Sequence, residues 1–100
     1  MNENLVQLDL NNPEFQKQWF ALQKEQQLVV LKTLKKIACM TWVQVYRDSG
    51  LKWEQIHSRP GPNGMVLYSF RISQACRAVA YRQAHWMRLL SLHPDHDSAY

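Results

Sequence analysis

The sequence predicts an α+β fold in which an N-terminal strand and a helical hairpin pack on a small, mainly antiparallel β-sheet. Three observations lead there. Apolar residues recur at helical spacing through about residues 12–56, with lysines between them. The stretch HSRPGPNG, His57 to Gly64, then breaks the pattern with two prolines and two glycines. Beyond it, MVLYSFRIS, CRAVAYRQ and HWMRLLSL are runs rich in β-branched, aromatic and other apolar residues, separated by short polar breaks.

Each element has its own local reason. Leu5 to Leu10 alternate, with Val6, Leu8 and Leu10 on one side and Leu5, Gln7 and Asp9 on the other, as a half-buried strand does. Asn12-Pro13-Glu14 supplies an N-cap, a proline at the first helical position and an acid in the first turn; Phe15, Trp19 and Leu22 follow as one stripe. A second helix is expected over Gln26 to Met40, with Leu28, Leu31, Leu34, Ile37 and Ala38 inward and the lysines in water. Thr41 and Gln44 have capping-box spacing, so a short third helix is expected over Trp42 to Asp48, closed by a left-handed Gly50.

In the first strand after the loop, Val66, Tyr68, Phe70 and Ile72 share one face and Leu67, Ser69 and Arg71 the other. The next sets Ala78 and Ala80 against Arg77, Val79 and Tyr81. Placing the aromatics and alanines under the helices brings Arg71 and Arg77 out together on the open face. The last strand is apolar on both sides, with Trp86, Leu90 and Leu92 against Met87 and Leu89, which marks a central strand and leaves Arg88 unplaced.

The whole of residues 1–100 is expected to form one domain: helical part about 12–56, loop 57–64, β-meander 65–93 and tail 94–100. With 46% hydrophobic and 20% charged residues the balance is that of a globular chain. No apolar run approaches the roughly 20 residues of a membrane span. MNENLVQLDL lacks the basic start and apolar middle of a secretory signal, so a cytoplasmic location is expected. Cys39 and Cys76 then read as reduced, buried packing residues.

The net charge of +4 is unevenly spread. Between Gln55 and Pro94 the charged residues are five arginines, Arg59, Arg71, Arg77, Arg82 and Arg88, with no lysine, aspartate or glutamate among them. Such an acid-free strip suits an anionic ligand, since guanidinium forks match phosphate oxygens. The tail SLHPDHDSAY adds His93, His96 and Tyr100 as proton-exchanging groups, with Asp95 and Asp97 as partners able to orient them. Zinc-compatible ligands occur in His93-x-x-His96, Asp95, Asp97 and Cys76, but no close cysteine pair accompanies them, and no metal is expected. The aromatics Trp19, Trp42, Trp53, Tyr68, Phe70 and Trp86 are read as core.

The order strand, helical hairpin, Pro/Gly loop, then LYSFRIS, CRAVAYR and WMRLLSL with the tail SLHPDHDSAY resembles the RelE/ParE superfamily, toxins of bacterial type II toxin-antitoxin systems. The segment Thr41 to Asp48 and the long loop after it are additions to the minimal pattern. The RelE branch implies an mRNA interferase, an endoribonuclease acting at the ribosome without cofactor or metal and silenced by a cognate antitoxin; the ParE branch implies inhibition of DNA gyrase. The resemblance assigns catalysis to Arg71, Arg77, His93, His96 and Tyr100, and RNA phosphate binding to Arg71, Arg77, Arg82, Arg88 and Arg59. Well-studied RNA-cleaving members carry two lysines on the open face of the first post-loop strand, where this chain has Leu67 and Ser69. Two readings therefore stay open. Either the histidines perform the acid/base work, or the domain binds ribosome, RNA or gyrase without cutting.

Overall fold

The computed structural model describes residues 4–94. Along the chain run β1 (Gln7–Asp9), α1 (Pro13–Phe20), α2 (Lys24–Ala38), α3 (Trp42–Arg47), β2 (Glu54–Ile56), a 3-10 turn at Pro62–Gly64, then β3 (Leu67–Ser73), β4 (Cys76–Gln83) and β5 (Trp86–His93). The strands form one sheet in the order β1-β5-β4-β3-β2. β1 runs parallel to β5 and every other pair is antiparallel. The α+β class read from the sequence is the class observed.

Local chemistry sets the helix starts. Asn12 Oδ1 accepts from the backbone N–H of Glu14 at 2.8 Å and of Phe15 at 3.2 Å, and Pro13 follows at the position that needs no donor. At α3 both halves of the capping box form: Thr41 Oγ1 accepts from Gln44 N at 3.2 Å and Gln44 Oε1 accepts from Thr41 N at 2.9 Å. Thr41→Ala is expected to cost about 1 kcal/mol, read from the urea-unfolding midpoint, because it orphans one donor of a short helix. The end of α3 differs from the expectation. Gly50 has no positive φ; the turn is closed by Asp48, whose carboxylate accepts from Leu51 N at 2.9 Å, and the left-handed residue is Lys52. A side-chain carboxylate has taken the task assigned to a glycine.

α2 sits on the sheet through Val30, Leu34 and Ile37, all buried, while Thr33 Oγ1 donates to Ile72 O at 3.3 Å. Leu28, Leu31 and Ala38, expected inward, are exposed. The helix is apolar around more than half its circumference, so periodicity alone does not choose its rotation; contact with β3 does. Cys39 is likewise exposed, whereas Cys76 is buried, and both thiols are free.

Phe15, Val30, Ile37, Phe70, Met87, Leu89 and Leu92 fill the core between the helices and one face of the sheet. Both parities of β5 contribute to it. A register shift between Val79 and Ala80 on the β4 side places Leu92 opposite Ala78 and Leu89 opposite Ala80, so the bulge turns two apolar phases toward one core. Val66, expected under the helices, precedes β3 and is exposed. β2 lies within a segment expected to be helical; its three residues pair with β3 through Glu54 opposite Ser69 and Ile56 opposite Leu67. Of the aromatics assigned to the core, Trp42 and Phe70 are buried, Trp53 stacks on Tyr68 at 4.7 Å, and Trp86 is exposed.

Candidate functional site

The sheet face away from the helices carries the candidate site. Arg71 of β3 is directly opposite Arg77 of β4, and Arg77 is directly opposite His93 of β5. The three side chains therefore stand in one row across three adjacent strands, on the face where alternation puts them.

Their environments differ sharply. Arg77 is 9% exposed and held from several sides: it donates to Ser69 Oγ at 2.9 Å and to Lys52 O at 3.4 Å, and lies 3.6 Å from a Glu54 carboxylate oxygen. Arg71 is half-buried, and among the described residues no hydrogen bond or ion pair engages its guanidinium. Two like charges directly opposite on neighbouring strands repel. Glu54 offsets that repulsion at Arg77, leaving Arg71 as the cation available to a ligand.

His93 is half-buried, with Ser91 Oγ 2.9 Å from its Nε2. Burial pushes its imidazole below the ordinary value of 6.5, and the nearby Arg59 guanidinium adds to the fall. The neutral ring is thus the folded form near neutral pH. Because the unfolded chain takes up the proton first as pH drops, the stability owed to neutral His93 is complete above about pH 6.5 and is lost as pH falls through the folded value. His93→Gln is expected to flatten this acid-side loss, measured as melting temperature between about pH 7 and 5.

The loop of residues 57–66 forms one wall of this face. Gly61 sits so close to β3 that an added Cβ would lie 2.6 Å from Leu67 Cδ2 and 2.7 Å from Met65 O, so glycine alone permits the approach. That approach carries Arg59 toward His93. Under the loop, Ile56, Leu67 and Val79 make a second apolar cluster, with Tyr81 and Leu90 packed on it.

Arg88 shares the open face at its far end, paired with Asp9, accepting no free role there: Nε donates to Gln83 Oε1 at 2.8 Å, and the guanidinium lies 5.2 Å from the Trp86 ring centroid. Arg82 is on the opposite face, over the Trp42 ring at 4.5 Å and donating to Tyr46 Oη. His96 and Tyr100, with Asp95 and Asp97, lie outside the described residues. Two contributors escaped the sequence reading. Ser91 was legible, two residues before His93 on a strand; Glu54 was not, because its role depends on β2 joining the sheet.

No protein-family model matches the sequence, and no curated protein matches it. The structure is similar to a chain of the archaeal RelE-RelB complex from Pyrococcus horikoshii OT3, with a TM-score of 0.59 and 16% identity over 90% of this chain and 92% of the other. The chain has the RelE fold.

At this identity the RelE likeness is one of backbone, and the chemistry of the open face is this chain's own. Relative to the resemblance drawn from sequence, Leu67 is buried in the second apolar cluster and Ser69 is fully buried beneath Arg77. The RelE-like sheet here presents a cationic row at one end and an apolar strip beside it. Among the described residues, no helix is long and apolar enough to cross a membrane.

Proposed function

We propose that this RelE-like chain is a toxin that cleaves RNA without a metal ion, acting on mRNA at the ribosome. The observation that carries the reading is the row Arg71–Arg77–His93, which joins a ligand-available guanidinium, a fixed guanidinium and a neutral imidazole on one face. Cleavage needs those functions. The 2′-oxygen attacks phosphorus as His93 accepts its proton; Arg71 and Arg77 stabilise the charge on the phosphate oxygens; the bond to the 5′-oxygen breaks and that oxygen takes a proton. His96 and Tyr100 of the tail are the proposed proton donors. Arg59 extends the phosphate track along the loop. Arg88, already engaged by neighbours, holds a peripheral role in RNA contact, whereas Arg82, on the opposite face over Trp42, lies off the phosphate track. The similar chain was solved in a RelE-RelB complex, and by that likeness a cognate antitoxin is the proposed protein partner.

A second reading rests on Leu67 and Ser69. With leucine and serine at these places instead of lysines, the face carries fewer cations than the RNA-cleaving pattern implies, which fits a ParE-like gyrase inhibitor or a non-cleaving binding module. Induced expression separates the readings. Fresh 5′-ends in mRNA, absent with Arg71→Ala, support cleavage. Toxicity with intact mRNA and an induced DNA-damage response supports gyrase inhibition, and absence of toxicity supports a binding module.

A further inference from the structure

A groove of about 210 Å³ lies between the loop and the open face of the sheet, bordered by Arg59, Pro60, Leu67, Val79, Leu90 and Ser91. Its volume is below the roughly 300 Å³ at which pockets for drug-sized ligands begin, and suits a single planar ring system. We infer that this groove seats the nucleobase flanking the scissile phosphate and sets which base is accepted there. The inference rests on the RNA-cleaving reading above.

Four features of the molecule meet in it. Its floor is apolar on a face that otherwise carries charge, because Leu67 and Val79 belong to the second cluster and Leu90 packs against them. Aliphatic side chains offer a base an uncharged surface against which its face is removed from water. Its walls are stiff: the Pro60-Gly61-Pro62 backbone is pinned by the Gly61 approach to Leu67 and by Gly61 N donating to Met65 O at 2.9 Å. The position also matches. Ser91 is opposite Val79 and His93 opposite Arg77, so the groove begins two residues along the strand from the proposed reaction row, about 7 Å away. Finally, Arg59 lines the groove and Arg71 stands on the reaction row, so cations for the backbone phosphates lie both at the groove and at the row. Ser91, whose Oγ lies beside His93 Nε2, is a lining residue that carries a hydroxyl.

The test is a cleavage-site map on translating ribosomes programmed with messages of randomised sequence, using wild type, Leu90→Phe and Leu90→Ala. Leu90 is only partly buried, so both variants are expected to fold, and thermal melting checks this. A filled groove in Leu90→Phe should lower cleavage beside purines relative to pyrimidines by about tenfold, and an enlarged one in Leu90→Ala should relax the wild-type preference. If either variant is unfolded, Pro60→Ala, which alters the wall from outside the sheet, is read in its place. Unchanged base preference in folded variants that still cleave overturns the base site and leaves the enzymatic reading standing. No cleavage by wild type overturns both.

Discussion

Arg71→Ala is expected to lower RNA cleavage about 100- to 1,000-fold, the loss typical of deleting one preorganised charge-stabilising donor. The melting temperature should stay unchanged or rise slightly. The two halves of this expectation have one cause. Arg71 faces Arg77 directly across a strand pair, and no described residue neutralises it. A half-buried guanidinium held beside another costs the fold stability, and its removal relieves that cost. A site that keeps a destabilising charge is one where the charge serves a ligand. Cleavage of ribosome-bound message, measured with thermal melting of the same preparations, checks both halves. Full activity in a well-folded Arg71→Ala protein removes Arg71 from the mechanism.

Arg77→Ala should behave in the opposite way, losing about 2–3 kcal/mol of stability in chemical denaturation before any effect on catalysis is considered. The loss does not come mainly from Glu54. That carboxylate is 58% exposed and remains hydrated without its partner, so the penalty of stranding a buried charge does not apply. It comes from Ser69 and Lys52. The substitution takes a donor from the Ser69 hydroxyl, which has no exposure, and another from the Lys52 carbonyl, and it empties the space filled by the arginine stem. Arg77→Met keeps the stem volume and should recover the packing part alone. Equal losses for alanine and methionine would assign the whole effect to the hydrogen bonds; no loss in either would remove the structural role of Arg77.

The opposed behaviour of two arginines in register shows where sequence reading reached and where it stopped. Alternation along LYSFRIS and CRAVAYR was enough to place Arg71 and Arg77 on one face; Arg82, grouped from sequence with the phosphate-binding arginines, instead lies on the helix side, where it meets Trp42 and Tyr46. What parity does not tell is how each guanidinium is held. That depends on Glu54 and Lys52, distant in sequence and brought alongside only when β2 and the turn before it pair with β3.

Local chemistry by itself determined the α+β class, the caps at Asn12 and Thr41, the Pro/Gly break and the common face of the two facing arginines. These depend on interactions within a few residues or on the fixed period of an element, and both are written in the chain. The tertiary structure decided the rotation of α2, the bulge that turns both phases of β5 into one core, the strand status of Glu54–Ile56, and the approach of Gly61 that brings Arg59 toward His93. Each of these is a choice among locally equivalent states, and only the burial and pairing available from distant residues separates them in free energy.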